Sequence, residues 1–353
     1  MMKALVLAGG SGTRLFPISR PDMPKQFLRI GSEHSLLQRT LLRLNRLLGS
    51  QDSIFIVSGI NYREVLEKHI KEIGFRNIGG IVWEREGKDT APALSLAVGH
   101  LLREGFLSSQ DTLIVCPADH IIEPQKEFNK LVSEAHKLAQ EGYIVTLGVR
   151  PSKPETGYGY IEMGEPLKEG ISYKVKRFHE KPDLETAVDY ITRGNFLWNS
   201  GIFVFKVDTF LEELKSYAPD LYRLATSSSE KEAVERFLSV ERISIDYAVM
   251  EKTKKAVVVL ANILWSDVGS WDSLYDMLDK DEEGNVKFGK VVTIDTKNSM
   301  IVENSGKKIV ATIGLEDIVI VETDDVLLVF KKGMGEKVKH LVNRLKKLRD
   351  VGL

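Results

Sequence analysis

Through residues 1–150, short continuous apolar runs alternate with stretches that are apolar every three or four positions. Ala4 to Ala8, Ile54 to Val57, Ile81 to Trp83, Leu113 to Cys116 and Ile144 to Leu147 are too short for amphipathic helices and predict buried strands. Between them, Leu36, Leu37, Leu41, Leu44 and Leu48 share one helical face that Ser35 is placed to cap, and Tyr62 to Ile73 and Phe128 to Leu138 repeat the helical period. Pro92 is placed to open a helix carrying Leu94, Ala97, Val98 and Leu101. This alternation predicts an α/β fold, a Rossmann-like, mainly parallel sheet with helices on both faces.

Past Pro151 the rhythm changes. Tyr158 to Ile161, Tyr173 to Phe178 and Ile202 to Phe205 predict short antiparallel strands in an insertion beside the sheet, over about 151–210, where a second substrate is held. From Gly289, Val291 to Thr293, Met300 to Val302, Ile309 to Thr312, Ile318 to Val321 and Val326 to Phe330 follow at close spacing, with turns at Asn304-Ser305-Gly306 and Asp324-Asp325. They predict a small all-β domain, a flat array or a rudimentary β-solenoid, closed by a basic amphipathic helix from Glu336 to Leu348 with a solvated charged face. Asp281 to Asn285 is the candidate linker, giving domains at 1–284 and 285–353.

Composition narrows the function. A chain of 353 residues with 43% hydrophobic and 28% charged residues is an ordinary globular protein with room for two domains. Its 49 basic and 50 acidic residues leave a net charge of −1, so no global field recruits nucleic acid or an anionic membrane, and any phosphate ligand must be held locally. The single cysteine, Cys116, excludes an intrachain disulfide framework, and its apolar strand suits a buried thiol. With only Lys3 before a brief apolar strand there is no signal peptide pattern, and no run reaches a membrane span, so the expected compartment is the cytoplasm. The histidines lack metal spacing, and neither a Ser-His-Asp nor a Cys-His arrangement is present to supply a covalent nucleophile.

The richest chemistry lies in Leu7-Ala8-Gly9-Gly10-Ser11-Gly12-Thr13-Arg14-Leu15, with Pro24-Lys25-Gln26-Phe27-Leu28 beyond it. A strand runs into a glycine loop whose N–H groups can approach an anion, and Arg14 and Lys25 add fixed positive charge. The dinucleotide fingerprint fails, because Leu15 stands where its third glycine belongs; the Walker loop fails, because Lys25 follows Pro24 and precedes Gln26. The glycines alone fit a tight turn equally well; the two cations favour a triphosphate cradle.

Further constellations follow other predicted strands. Asp119 in Pro117-Ala118-Asp119-His120 and Asp267 in Trp265-Ser266-Asp267-Val268-Gly269 are either turn and cap residues or hard oxygen ligands of the kind Mg²⁺ takes together with phosphates and water. Phe178-His179-Glu180-Lys181-Pro182 sets a carboxylate beside an ammonium, which reads as an exposed turn or as a sugar phosphate site. Trp198-Asn199-Ser200-Gly201 offers an amide, and Gly157-Tyr158-Gly159-Tyr160 offers close backbone approach.

In order, these motifs resemble the sugar-nucleotide pyrophosphorylases, and within them the mannose-1-phosphate guanylyltransferases. The likeness continues through Gly87-Lys88-Asp89-Thr90-Ala91-Pro92-Ala93 and Ser244-Ile245-Asp246-Tyr247-Ala248-Val249-Met250-Glu251-Lys252, covers the chain to about Trp271, and extends less sharply over the β-rich tail. It departs at Lys88-Asp89, where relatives commonly show Arg-Asn, and at Arg85, commonly proline.

The resemblance implies a nucleotidyltransferase fold and the reaction of GTP with α-D-mannose 1-phosphate to GDP-mannose and pyrophosphate. A sugar phosphate oxygen attacks the α-phosphorus in line, chemistry that needs positioning and charge neutralisation and no general base. It implies that Arg14 and Lys25 hold the pyrophosphate, that Lys181 holds the sugar phosphate, and that Asp119 and Asp267 hold Mg²⁺. The nucleotide falls to Leu7, Gly9, Gly10, Ser11, Gly12, Thr13, Glu84, Gly87, Asp89, Ala91 and Pro117, with Glu84 or Asp89 reading guanine; mannose falls to Gly157, Glu180 and Asn199. Many bacterial relatives carry a further phosphomannose isomerase domain, so a chain ending at Leu353 is expected to be monofunctional, with its tail supporting a homodimer. The competing readings are a UTP- or dTTP-dependent glucose-1-phosphate enzyme and a non-catalytic regulatory paralogue; Gln26-Phe27-Leu28 with Asp119-His120 argues against the first, and retention of Arg14, Lys25, Asp119, Lys181 and Asp267 against the second.

Overall fold

Nearly all the apolar runs of the first 261 residues join one sheet. The computed structural model describes residues 1–10, 12–50, 53–76 and 78–347. Its strands to that point are β1 (Met2–Leu7), β2 (Ile54–Gly59), β3 (Gly80–Glu84), β4 (Thr112–Pro117), the short β5 (Ile121–Glu123), β6 (Ile144–Val149), β7 (Gly159–Lys168), β8 (Ser172–Glu180), β9 (Phe196–Lys206) and β10 (Ala256–Ala261), followed by the short β11 (Leu264–Ser266). Nine of these form a mixed sheet in the order β3-β2-β1-β4-β9-β6-β10-β8-β7. The pairs β2 with β3, β1 with β2, β1 with β4 and β6 with β10 are parallel, whereas β9 runs antiparallel to both β4 and β6. Ile202 to Phe205, expected in an insertion beside the sheet, is therefore the second half of a central strand. β7 and β8 extend the same sheet at its edge. The sequence pattern misplaces this run because an apolar segment buried on both faces does not reveal its neighbours.

Helices α1 (Leu36–Leu48), α2 (Arg63–Glu72), α3 (Thr90–Arg103), α4 (Gln125–Gln140), α5 (Leu184–Arg193), α6 (Val207–Tyr217), α7 (Pro219–Ala225) and α8 (Glu230–Ser239) alternate with these strands, and α9 (Trp271–Met277) follows them in the chain. α3 starts two residues before Pro92, because the Asp89 carboxylate accepts the Thr90 N–H at 2.8 Å and proline is tolerated in a first turn. Helices α5 to α8 lie outside the expected elements, although two of their caps are legible in the sequence. Asp183 accepts from the Thr186 N–H, and Ser229 Oγ accepts the Glu232 N–H at 3.2 Å while the Glu232 carboxylate accepts from the N–H and hydroxyl of Ser228. Among the described residues no helix is long and apolar enough to cross a membrane.

The tail is a solenoid rather than a flat array. β12 (Val286–Phe288), β14 (Met300–Glu303) and β16 (Ile318–Glu322) stack in parallel, as do β13 (Val291–Ile294) and β15 (Val310–Ile313), and β17 (Leu327–Lys331) closes the first stack antiparallel. Successive rungs put Val286, Met300 and Val319 in register inside it, each at most 2% exposed. The candidate linker is a closed turn: Asp281 Oδ1 accepts the Asn285 N–H at 2.8 Å, and the Asn285 amide donates to the Thr296 carbonyl inside the solenoid. The last helix opens with a tight turn at Gly335–Lys337 and continues as α10 (Val338–Lys347); Leu348 lies outside the described residues.

Contacts divide the chain into two compact units. One comprises Met1–Gly9 and Gln38–Trp265, the other Gly10–Leu37 and Ser266–Leu353. The second unit joins the segment after the glycine loop to the tail region: the Arg20 guanidinium binds the Asp325 carboxylate, and the Trp271 indole N–H donates to the Phe16 carbonyl at 3.0 Å.

In the first unit β9 packs on α6 through aromatic side chains. Phe205, 1% exposed, stacks on Phe210 with ring centroids 4.8 Å apart and an interplanar angle of 21°. Phe205→Ala is expected to lower stability by about 3–5 kcal/mol through lost transfer energy and the cavity left behind. Denaturant titration followed by fluorescence checks this.

Candidate active site

In the first unit, β1 is flanked by β2 on one side and β4 on the other, so the chain changes direction across the sheet at β1. Loops leaving the carboxyl ends of such neighbours diverge and open a crevice, the usual ligand site of an open α/β sheet. Leu7 and Pro117 are register partners at that edge, and the Ala118 N–H donates to the Leu7 carbonyl at 3.0 Å. Gly9 follows at once. A side chain there would press on Glu84, since a Cβ would lie 3.2 Å from Glu84 Oε2.

Glu84 ends β3 and is only 4% exposed. Its Oε1 is buried without a hydrogen-bond partner, and burial, reinforced by Asp89, pushes the carboxyl up to about 7. A buried carboxyl with an idle oxygen is poised for donors that arrive with a ligand.

The loop of Gly87, Asp89 and Ala91 is tied into the protein. Asp89, at a positive φ of 74°, caps α3, and its other oxygen lies 3.7 Å from Arg242 Nε. The Ala91 N–H donates to the Ile243 carbonyl at 3.2 Å. Lys88 clamps the same segment, its ammonium donating to the carbonyls of Leu238 and Val240. Of the two acids expected to read a base, Glu84 keeps an open oxygen and Asp89 serves the backbone.

The expected sugar residues gather at β7, β8 and β9. Gly157 begins the approach to β7, its N–H donating to Glu155 Oε1 at 3.3 Å. Gly159 is paired with Glu180, and a Cβ on Gly159 would lie 2.5 Å from Glu180 Oε2, so glycine leaves room for that carboxylate where it lies. Lys181, at a positive φ of 48°, turns its ammonium back onto Glu180 Oε1. Burial works against that ammonium, but Glu180 and Asp246 outweigh it and raise its pKa above the usual lysine value. Asn199 sits opposite Gly148 where the β6–β9 register shifts, an irregularity that re-aims a side chain. Its Nδ2 donates to Asp246 Oδ1 at 3.1 Å. Asp246 opens a single π-helical turn, Asp246–Met250, and burial and the Glu180 charge push its carboxyl up to about 7. In the sequence Asp246 stands inside a family motif, with no signal of a role of its own.

Asp119 stands in the turn after β4, with Oδ1 3.7 Å from His120 Nε2. Nδ1 of His120 accepts the Trp265 indole N–H at 3.2 Å, and Tyr158, Trp198 and Trp265 pack around this point, Tyr158 edge-on to both indoles. These aromatic contacts fasten the loops that carry Asp119 and Gly157 to the stretch of β9 that carries Asn199. The sequence showed each aromatic residue without revealing that they meet.

In the second unit, Gly10 and Gly12 take φ values of 122° and 51°. A Cβ on Gly12 would lie 2.4 Å from the Cβ of Lys25, so glycine is what lets the lysine pack there. Lys25 is 9% exposed and gives its ammonium to the backbone carbonyl of Asp267. Asp267 Oδ1 accepts the Gly269 N–H at 2.8 Å, and the intervening Val268 is fully buried at a φ of 52°, a strained value for a β-branched residue. Gly12, Lys25 and Asp267 are thus brought together, while Arg14 faces Glu336 at 3.6 Å. Ser11 and the side chain of Thr13 lie outside the described residues.

Two family models match the chain. A nucleotidyl transferase model matches residues 3–284, and a model of the MannoseP isomerase/GMP-like beta-helix domain matches residues 289–345. The chain is 42% identical over 358 residues to mannose-1-phosphate guanylyltransferase 2 of Escherichia coli O157:H7, covering 97% of this chain and 73% of that protein. It is 39% identical over 360 residues to the mannose-1-phosphate guanylyltransferase of Salmonella montevideo, covering 98% and 74%. A solved structure from Thermus thermophilus, described as a mannose-1-phosphate geranyltransferase, superposes with a TM-score of 0.87 at 34% identity, covering 98% of this chain and 99% of that one.

The raised Glu84 carboxyl has a signed effect on stability. Between its ordinary value of 4.5 and about 7 the folded protein keeps a proton that the unfolded chain releases, so stability falls as pH rises through that window. Above it, the buried charge costs on the order of 3 kcal/mol. Glu84→Gln is expected to melt higher than the wild type at pH 8 and level with it near pH 4.5; thermal unfolding across that range measures the difference.

Proposed function

The chain belongs to the nucleotidyl transferase family, and we propose that it transfers GMP from GTP to α-D-mannose 1-phosphate, releasing pyrophosphate and forming GDP-mannose. The observation that carries the choice of base is Glu84. Guanine presents N1–H and N2–H₂ donors side by side, and a buried carboxylate with a free oxygen beside Gly9 is the acceptor such an edge requires. The choice of sugar is supported by the relatives of about 40% identity, which are named for mannose 1-phosphate.

A phosphate oxygen of the sugar attacks the α-phosphorus of GTP, the bond to the bridging oxygen breaks, and pyrophosphate leaves on the opposite side. The attacking oxygen is already ionised at neutral pH, so the protein's task is to align two polyanions and neutralise charge. Lys181 takes the sugar phosphate and Glu180 accepts sugar hydroxyls over Gly159. The amide of Asn199 and the backbone at Gly157 complete this side. Leu7, Gly9, Gly87, Asp89, Ala91 and Pro117 shape the nucleoside side, and Gly10 and Gly12 leave backbone open to the triphosphate.

Lys25 and Arg14 receive the departing pyrophosphate. Arg14 gives up Glu336 to do so, a small loss, since a partly exposed ion pair contributes no more than about 1 kcal/mol. A divalent cation, Mg²⁺, suits Asp119 and Asp267: both offer hard carboxylate oxygens, and Mg²⁺ is commonly held by one or two carboxylates with substrate phosphates and water completing its shell. When bound, it would neutralise charge on the α-phosphate. We place the reaction in the cytoplasm, where the one buried thiol, Cys116, stays reduced. The exposed row Val292, Ile294 and Ile313 on the solenoid supports a homodimer.

Pyrophosphate release measured with GTP, UTP, dTTP and ATP against mannose 1-phosphate and glucose 1-phosphate tests the assignment. GTP with mannose 1-phosphate is expected to be the productive pair, and turnover of UTP with glucose 1-phosphate alone would overturn it. Asp267→Asn is expected to lower kcat by about 10²–10³-fold with an unchanged circular dichroism spectrum, the scale on which a transition-state charge partner acts.

A further inference from the structure

Asn199 is expected to read the sugar, yet most of its amide is used inside the protein. Its Oδ1 accepts from Thr146 Oγ1 at 2.9 Å and from the Gly201 N–H at 3.1 Å, which fills both lone pairs and fixes which end of the amide is oxygen. One Nδ2 hydrogen goes to Asp246 Oδ1. Asn199 therefore has no acceptor for a ligand and a single N–H at most. A hexose presents several hydroxyl hydrogens that need acceptors, so these must come from elsewhere.

Two carboxylates adjoin the expected sugar residues. Glu180 is in contact with the Lys181 ammonium, and Asp246, bonded to the Asn199 amide, lies within electrostatic reach of both. The segment carrying Asp246 is held from three directions. The Ile245 N–H donates to Thr90 Oγ1 at 2.9 Å, Ile243 exchanges backbone hydrogen bonds with Lys88 and Ala91, and the Glu180 N–H donates to Glu251 Oε1 at 3.3 Å. A π-helical turn is an uncommon element that recurs at functional sites, and here it fixes a carboxylate beside the expected sugar residues.

We propose that Asp246 is a sugar-binding and specificity-determining residue, its carboxylate held by the Asn199 amide beside Glu180 and Lys181 so as to accept hydrogen bonds from hydroxyls of the hexose 1-phosphate. This rests on the proposed transfer to a sugar phosphate. Charge divides the labour: Lys181 is the cation for the phosphate, and Glu180 and Asp246 are acceptors for the ring. A site built to bond a hydroxyl discriminates strongly against a ligand lacking it, because its buried acceptor is then left unpaired. Asn199 is then chiefly the residue that aims Asp246.

Asp246→Asn keeps the shape and the bond from Asn199 but replaces the remaining carboxylate oxygen with a donor. It is expected to raise the KM for mannose 1-phosphate by about tenfold or more and to narrow the preference over glucose 1-phosphate, with the KM for GTP changed less than about twofold. An unchanged sugar KM, or an equal rise in both KM values, overturns the proposal, the latter marking a merely structural role. Asp246→Ser serves if the asparagine variant does not fold. Monodeoxy mannose 1-phosphates with the wild type give a reading that needs no variant: one position should lose affinity, and the same position should lose little more in Asp246→Asn. If no position loses affinity, the proposal is overturned. Failure of the transfer reading is distinguishable, because the wild type would then not turn over mannose 1-phosphate at all.

Discussion

The antiparallel entry of β9 between β4 and β6 is the constraint on which the sugar side depends. Those two strands point the same way, and a strand of opposite sense between them places its Trp198-Asn199 stretch beside the carboxyl end of β6. The register shift there turns Asn199 toward Thr146 and Asp246. Gly148 makes it possible, because a Cβ at that position would lie 2.5 Å from Val258 and 2.7 Å from Leu197. The same strand carries Phe203 and Phe205 into the core, so the geometry of Asn199 is tied to the stability of the first unit.

Strand positions up to Ile144 were legible because a parallel sheet with both faces covered turns its strands into unbroken apolar runs. The solenoid was legible as a spacing of short strands but not as a stacking direction, which depends on turns at Asp295, Asn298 and Asp317 adopting positive φ. Helices α5 to α8 escaped the pattern despite the caps at Asp183 and Ser229, because they are short and crowd between strands whose apolar runs dominate the local signal. The motifs identified the residues of the site but not their partners. Nothing in the order of residues says that Asp89 serves as a helix cap, that Lys88 clamps the chain near Val240, or that Asn199 is saturated by Thr146 and Gly201. Those assignments need distances, since each competes with a ligand role that the same side chain is equally able to fill.

In the second unit a phosphate-binding lysine and a metal-binding aspartate are proposed as separate parts, yet the chain makes them neighbours. Lys25 holds the carbonyl of Asp267, and the next residue, Val268, is kept in a conformation that a β-branched side chain adopts only under constraint. Its complete burial and the bond from its N–H to Ser266 Oγ at 2.9 Å supply that constraint. Gly12 belongs to the same device, since without its bare Cα Lys25 cannot pack where it does. The glycine of the loop thus acts at a distance of two contacts on the aspartate, a role different from opening backbone to phosphate.

The proposed reaction brings together two polyanions, and the residues proposed for it are Arg14, Lys25 and Lys181 as cations and Asp119, Asp267, Glu84, Glu180 and Asp246 as acids. With every acid ionised, the negative groups would outnumber the positive ones and repel both substrates. The acids are not equivalent. Glu84 and Asp246 are both raised to about 7, Glu84 by burial and the Asp89 charge and Asp246 by burial and the Glu180 charge, and donors from a base or a sugar would favour their charged forms. Glu180 is already matched by the Lys181 ammonium. Asp119 and Asp267, which a divalent cation would neutralise, are the acids that remain. An acid-rich set of residues can in this way serve phosphate chemistry: two carboxyls raised by burial and a neighbouring charge are left for neutral donors, and the others are paired with a lysine or reserved for a metal.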